Sequence, residues 1–180
     1  MEKSNFIDYI RIFCRSGHGG PGSKHFMRTK YNAMAGPDGG DGGRGAHIIL
    51  RGSSQLWTLL HLRYYKNVLG ENGESGSKNN STGRFGKDII IEVPLGTIAK
   101  DELTGVKEVE ILEDGQEVIW VKGGRGGLGN ANFKTATNRH RNMHNPAKTV
   151  LKDGNYWSLK YWPMLDWWDF PMQESQLYFL

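Results

Sequence analysis

The side chains best suited to chemistry are basic and aromatic residues that stand between or inside glycine-rich stretches. Arg28, Lys30 and Tyr31 lie in FMRTKYNAMA, which separates two such stretches. Cations of this kind contact phosphate groups, and a tyrosine ring stacks on an unstacked base. The alternative is a solvated loop with a half-buried tyrosine. Five further basic residues lie in or directly after the glycine-rich stretches: Arg44, Lys78, Arg84, Lys87 and Arg125. Each alone is ordinary surface charge, but together on converging loop tips they would form a patch that binds an anionic polymer.

The spacing of the aspartates, histidines and the cysteine gives little indication of a metal site or a catalytic nucleophile. Asp38 and Asp41 in GPDGGDGG are similar to calcium-binding glycine–aspartate repeats, but one copy cannot stack into such a solenoid. A turn role for both aspartates is favoured. The six histidines show no zinc-ligand spacing, Cys14 is the single cysteine, and His18 and His25 are expected to be loop residues. The sequence therefore predicts no metal site and no catalytic residue.

Glycine-rich stretches must position the basic and aromatic side chains. They read GHGGPG, GPDGGDGGRG, GENGESGSKNNSTGRFG and GGRGGLG, without a strict Gly-X-Y repeat and without the serine content of a flexible linker. Glycine doublets of this spacing favour short polyproline-II segments packed side by side, because backbones without Cβ atoms can approach and hydrogen-bond. The glycines expected to be structural are Gly19, Gly20, Gly22, Gly36, Gly39, Gly40, Gly42, Gly43, Gly45, Gly123, Gly124, Gly126 and Gly127.

Between these stretches the chain alternates apolar and polar residues in the manner of strands. Residues 6–14 predict a strand with Phe6, Ile10, Ile12 and Cys14 on one face. Residues 56–65 are ambiguous and predict a helical turn that runs into a strand. Further strands are expected at residues 47–51, 88–93, 97–100, 106–112 and 117–121, several of them joined by good turn sequences. The pattern indicates a mainly β fold, a barrel or sandwich whose long loops are glycine-rich.

Bulk composition narrows the class of protein without deciding it. The chain has 180 residues, 37% of them hydrophobic, and a formal net charge of +4, which mildly favours an anionic partner. The single cysteine is expected to be a small core residue in a reducing compartment. We expect no signal peptide at the start and no membrane span, because no apolar run of about 18 residues occurs.

Several motifs in order resemble one family. FIDYIRIFCRSGHGGPG, RTKYNAMAGPDGGDGGRGAHIILRG, GENGESGSKN, IIIEVPLGTI and VKGGRGGLGNANFKTAT are similar to the N-terminal domain of the Obg family of ribosome-associated GTPases. The resemblance covers residues 1–138, with an extension to about residue 160 left open. It implies an Obg fold, in which a small β-barrel base carries a glycine-rich bundle of polyproline-II helices. It also implies action in large ribosomal subunit assembly, with loops directed at ribosomal RNA, and GTP with magnesium as ligands of a P-loop domain that follows.

Residues 139–180 depart from that family pattern. They contain no GxxxxGK[ST] loop, so this chain is expected to bind no cofactor and to be no enzyme. Read in another frame, suitable codons for this tail give a peptide that contains GFPNAGKS, and several letters are forced: Trp162 before Pro163 gives alanine, and Trp168 before Asp169 gives glycine. We therefore interpret residues 139–180 as an out-of-frame tail that replaces the last strand and the start of the GTPase domain. A disordered, sticky terminus is favoured over pairing of WSLKYW in the position of the lost strand.

The sequence thus predicts a cytoplasmic RNA-docking module, monomeric unless the tail aggregates. Two alternatives remain open. If the frameshift is a sequencing error, the product is a complete GTP-hydrolysing enzyme. In the second alternative, the glycine-rich bundle is a structural protein–protein module that touches no RNA.

Overall fold

The computed structural model describes residues 6–28, 30–31, 36–134, 146 and 155–161. Short 3₁₀ turns at Leu60–Tyr64 and Asn130–Phe133 accompany the strands. The strands in chain order are β1 (Tyr9–Arg15), β2 (Phe26–Met27), β3 (Gly36–Pro37), β4 (Ile48–Ser53), β5 (Asn67–Leu69), β6 (Ile89–Pro94), β7 (Thr97–Asp101), β8 (Lys107–Ile111), β9 (Glu117–Val121) and β10 (Asn155–Tyr161).

The described strands form a mainly β fold of three sheets. A five-stranded sheet has the order β5-β1-β10-β7-β8, a three-stranded sheet has the order β6-β4-β9, and β2 pairs with β3 alone. The two larger sheets share one apolar core, to which Ile12, Leu50 and Trp157 all belong. A closed β-barrel is not confirmed, because the described strands remain separate sheets with open edges.

Most of the strands predicted from the alternation are present within a residue or two. In β1 the inward positions Ile10, Ile12 and Cys14 are buried, as expected. Phe6 was expected on the same face but precedes the strand and is 52% exposed, so that part of the prediction is wrong. Burial raises the pKa of the Cys14 thiol to about 12. The ambiguous stretch at residues 56–65 forms a 3₁₀ turn, and β5 follows it.

Strand β10 corrects the expectation of a disordered tail for the seven residues that it contains. It lies between β1 and β7 and pairs antiparallel with both, for example Ile12 with Trp157 and Leu159 with Ala99. Trp157 is 1% exposed, and its ring meets that of Trp120 edge-on at 5.1 Å. The alternation in NYWSLKY explains the pairing, because it sends Trp157 and Leu159 into the core while the backbone fills an otherwise unpaired gap. The out-of-frame origin of this segment stays a prediction, and the other tail residues lie outside the described residues apart from residue 146.

Above the sheets, five glycine-rich segments pack side by side. We number them segment 1 (residues 17–23), segment 2 (39–46), segment 3 (70–77), segment 4 (81–86) and segment 5 (123–129). Gly20 N–H donates to Gly43 O at 2.8 Å, and three residues later Ser23 N–H donates to Gly40 O at 2.9 Å. The same spacing of three links segment 2 to segments 3, 4 and 5, and segment 1 to segments 3 and 5. Segment 2 is therefore the centre of a hydrogen-bonded bundle.

The closeness of these segments explains the demand for glycine. A Cβ atom on Gly42 would lie 1.9 Å from Gly20 O, far inside contact distance. Gly124 and Gly127 donate to carbonyl oxygens of segment 1, and Gly36 has a φ of 114°, which favours glycine in open space. Among the other glycines predicted to be structural, an added Cβ would lie within 2.3 Å of a backbone oxygen at Gly19, Gly20, Gly22, Gly39, Gly40, Gly43, Gly45, Gly123 and Gly126.

Candidate nucleic-acid interface

The end of the bundle that points away from the sheets carries part of the predicted patch. We call it the tip and define it as residues 24–28, 38–40, 77–82 and 129–132. The register of the hydrogen bonds fixes this direction, because Gly17 pairs with Ala46 next to the sheets while Ser23 pairs with Gly40 at the opposite end. The tip joins segment 1 to β2, β3 to segment 2, and segment 3 to segment 4.

Lys78 is presented by a tight turn. Asn79 and Asn80 have φ values of 57° and 55°, and Ser81 N–H donates to Lys78 O at 3.2 Å. Two successive positive φ values are the signature of a type I′ turn, in which asparagine is among the preferred residues. Asn80 N–H also donates to Asp38 O at 2.7 Å, which fastens the turn to the residue that precedes segment 2. Lys78 thus stands exposed on a fixed backbone.

Arg28 directly follows β2, which forms a short hairpin with β3. Phe26 pairs with Pro37 and Met27 with Gly36. Arg28 is exposed just after β2, and Tyr31 is 94% exposed. Lys30 is also exposed. The alternative of a half-buried tyrosine is not met, because Tyr31 is exposed to solvent.

His25 and Asp38 form a pair that sequence reasoning missed. The two residues were interpreted as a loop histidine and a turn aspartate, but His25 Nδ1 lies 2.6 Å from Asp38 Oδ1. Asn79 N–H donates to the other carboxylate oxygen at 3.1 Å. Burial alone would raise the pKa of Asp38, but the bonds from His25 and Asn79 outweigh it and lower the pKa. Asp38 therefore stays ionised and joins three parts of the tip.

Asparagine and aspartate side chains complete the same framework. Asn130 is fully buried; its Oδ1 accepts from Gly39 N–H at 2.8 Å and its Nδ2 donates to His25 O at 2.9 Å. Asp41 accepts from Gly129 N–H at 2.7 Å and from the side chain of Asn132. The turn role predicted for Asp41 is wrong, because its side-chain partners lie 88 and 91 residues away. The one sequence signal for Asn130 is its position directly after a glycine-rich stretch.

A cleft opens between these groups. It has a volume of about 550 Å³ and is lined by His25, Phe26, Met27, Arg28, Asp38, Lys78 and Asn79. Two of the predicted basic residues, Arg28 and Lys78, therefore face one cavity.

The other predicted basic residues do not converge on the tip. Arg44 lies near the sheets and makes a bidentate pair with Asp88 at 2.9 and 3.0 Å. Arg84 pairs with Glu74 at 3.1 Å on the flank of the bundle. Arg125 is exposed on the flank, between two residues that hydrogen-bond to segment 1, and Lys87 is exposed where segment 4 enters β6. The expected single patch of converging tips is thus wrong for these four residues. The segments lie side by side, so residues at different positions along them stay apart.

The rest of the described chain offers little further chemistry. Its helical segments are two short 3₁₀ turns, neither of which could cross a bilayer. Within residues 6–28, 30–31, 36–134, 146 and 155–161, no three His, Cys, Asp or Glu side chains gather closely enough to hold a metal ion.

Comparison with known proteins gives the family. The family model described as GTP1/OBG matches residues 7–160, which include both large sheets and all five glycine-rich segments. The chain belongs to the GTP1/OBG family. The resemblance seen in the motifs is thereby confirmed, and the match includes β10 as far as Lys160.

Relatives of this GTP1/OBG chain carry the name GTPase Obg. That of Cytophaga hutchinsonii is 57% identical over 152 residues, which are 84% of this chain and 45% of the relative. That of Parabacteroides distasonis is 55% identical over 152 residues, 84% of this chain and 39% of the relative. That of Bacteroides fragilis is 56% identical over 150 residues, 83% of this chain and 39% of the relative. The chain thus spans less than half the length of these curated relatives.

Proposed function

We propose that this chain is an RNA-docking module of a ribosome-assembly GTPase. It acts in the cytoplasm in assembly of the large ribosomal subunit, and it binds ribosomal RNA through the tip of its glycine-rich bundle. The observation that carries the proposal is the hydrogen-bonded tip, where Arg28 and Lys78 line one cleft at the end remote from the sheets. A phosphate polymer suits two cations that share a cleft, since each phosphate contact contributes electrostatic affinity.

Rigidity of the bundle supports this role. We propose that its segments are polyproline-II helices, because that helix has three residues per turn and the backbone hydrogen bonds recur every three residues. Gly129 has φ −72° and ψ 162°, close to the values of that conformation. A rigid spike loses little conformational entropy on binding, so more of its contact energy remains as affinity.

The first test measures sedimentation of the full chain with purified large ribosomal subunits at low and high salt. We expect binding at low salt that falls steeply as salt rises. The double variant Arg28→Ala/Lys78→Ala should bind more weakly and show a shallower dependence on salt. Arg63→Ala/Lys66→Ala removes the same charge from exposed residues of the sheet region and should bind like the wild type. Equal loss in both variants would refute the tip as the binding site.

GTP binding is assigned to another part of the full-length protein. We propose that GTP and magnesium are ligands of the portion of the relatives that this chain does not span, and that this chain alone neither binds nor hydrolyses GTP. A fluorescent GTP analogue titrated into the purified chain with magnesium should give no saturable signal. Stoichiometric binding would overturn this proposal. Sequencing of the gene across codon 138 separately tests whether the product is the complete enzyme.

A protein–protein module is the second candidate, and one observation favours it. A groove of about 630 Å³ lies between the edge strands β5 and β6, lined in part by Tyr65, Val68, Leu69 and Ile90. Tyr65 and Leu69 are more than half exposed there. Association of this kind buries apolar surface and depends little on salt. Salt-insensitive sedimentation with ribosomal subunits would therefore favour this candidate over RNA docking.

A further inference from the structure

We propose that the cleft at the tip holds one unstacked nucleotide of single-stranded RNA and distinguishes it from DNA. Arg28 and Lys78 contact the phosphate, His25 accepts a hydrogen bond from the ribose 2′-hydroxyl, and the base lies along Phe26 and Met27. This inference rests on the proposed function and adds to it which chemical groups the tip recognises.

The size and lining of the cleft fit one nucleotide. Its volume of about 550 Å³ lies within the usual range for small-ligand pockets. The lining divides into an apolar part, Phe26 and Met27, and a polar part that includes Arg28, Lys78 and Asn79. Met27 is 43% exposed, so an apolar surface is available beside the cations. A nucleotide has a similar division, because the faces of its base are flat and apolar while its phosphate is charged.

The pairing of His25 with Asp38 selects the group that the imidazole recognises. An ionised carboxylate only accepts hydrogen bonds, so Nδ1 of His25 carries the hydrogen of the 2.6 Å bond. In the neutral ring Nε2 is then a hydrogen-bond acceptor. No hydrogen bond to Nε2 occurs within the part of the chain that the structure describes, and the His25 side chain is 45% exposed. An acceptor at this place complements a hydroxyl group, and the 2′-hydroxyl distinguishes RNA from DNA.

Asp38 holds this arrangement without repelling a phosphate. Its side chain is 9% exposed, and both carboxylate oxygens are engaged, one by His25 and the other by Asn79 N–H. The negative charge is therefore turned into the tip and held by hydrogen bonds, while Lys78 stays exposed. Asp38 acts as a positioning residue for His25.

The test compares binding of fluorescein-labelled RNA and DNA pentamers of one sequence to the full chain at pH 8, by fluorescence anisotropy. We expect the RNA pentamer to bind about fivefold more tightly, the effect of one hydrogen bond. His25→Asn keeps a donor toward Asp38 and removes Nε2, so it should abolish this preference and leave DNA binding unchanged. Lys78→Gln should weaken both pentamers alike by about tenfold, as expected for a lost phosphate contact. Lys66→Gln, exposed and outside the cleft, is the matched control.

Each outcome decides the proposal. An unchanged RNA preference in His25→Asn, or a Lys78→Gln variant that binds like Lys66→Gln, would show that the cleft holds no nucleotide; sedimentation with ribosomal subunits would then still support docking elsewhere. If the wild-type chain neither binds the pentamers nor sediments with ribosomal subunits, the docking function itself is refuted. If His25→Asn unfolds, NMR of the wild type decides: AMP should shift the His25 ring and Met27 methyl resonances more than dAMP. Equal shifts from inorganic phosphate alone would mean an anion site and overturn the proposal.

Discussion

Replacing Gly42 by alanine tests whether direct backbone contact holds the glycine-rich segments together. The added Cβ would lie 1.9 Å from Gly20 O and 2.4 Å from the carbonyl carbon of the same residue. Ordinary contact of a Cβ atom begins at 3.4 Å, so segments 1 and 2 must separate by about 1.5 Å. No side-chain rotation relieves the overlap, because both partners are backbone.

The magnitude follows from the hydrogen bonds that this separation breaks. The bond from Gly20 N–H to Gly43 O is 2.8 Å long, and that from Ser23 N–H to Gly40 O is 2.9 Å. Lengthened by more than 1 Å, neither remains a hydrogen bond. Two or three lost bonds at about 1 kcal/mol each lower the free energy of unfolding by about 2–3 kcal/mol. For a chain of this size the midpoint of thermal unfolding should fall by about 8 °C.

The matched control is Gly105→Ala, and the assay is thermal unfolding followed by circular dichroism. Gly105 has a φ of 67° with nothing within 4 Å of an added Cβ, so alanine there costs only the strain of a left-handed backbone, about 1 kcal/mol. Gly42→Ala should be clearly less stable than this control. It should also speed hydrogen exchange at the amide of Gly20. If Gly42→Ala matched Gly105→Ala in stability and left that exchange unchanged, the account of close backbone packing would be refuted.

Three further predictions concern the sheets and their junction with the bundle. Trp157→Ala should lower the free energy of unfolding, measured in urea, by about 3–5 kcal/mol. Tyr156 is 57% exposed on the outer face, so Tyr156→Ala should lower it by only about 1 kcal/mol. Similar values for the two variants would contradict the buried position of Trp157 in β10. Burial and Arg44 lower the pKa of His47, whose Nδ1 accepts the Gly123 N–H at 2.7 Å. The stability from this bond should be fully present above the ordinary histidine pKa of about 6.5 and be lost as pH falls below it. That fall should be smaller in His47→Gln when thermal unfolding is compared at pH 7.5 and pH 5. Cys14, with its pKa raised to about 12, should not react with Ellman's reagent in the folded chain and should react at once in guanidinium; rapid labelling of the native protein would contradict its burial.

Strands were predictable from the sequence because their signal is local. β9 lies at the expected residues 117–121, since the apolar run in EVIWV follows a clear turn sequence. Phe6 was misplaced because the alternation of β1 extends in the sequence beyond the point where the pairing begins. β10 was undervalued since its partners, β1 and β7, lie far away in the chain and no local feature shows that a place between them is open.

The sequence predicts that the glycine-rich segments pack closely, but it does not predict how they pair or which side chains meet at the tip. Dense glycine indicates that backbones approach, but without side chains the sequence does not state which segment meets which. Gly42 of segment 2, for example, donates to Gly127 O, far away in the chain. The same limit applies to the charges. Nothing near Arg44 in sequence shows that Asp88 engages it, and the bond between His25 and Asp38 depends on the pairing of β2 with β3.

The spacing of three between backbone bonds also restricts how the loops can change length in evolution. Inserting one residue into segment 2 would rotate every later amide away from its acceptor in four neighbouring segments at once, whereas inserting a whole turn of three would restore the phase. Changes of length within segment 2 that preserve all of these contacts are therefore confined to multiples of three residues. The scaffold keeps its dimensions or changes them by whole turns.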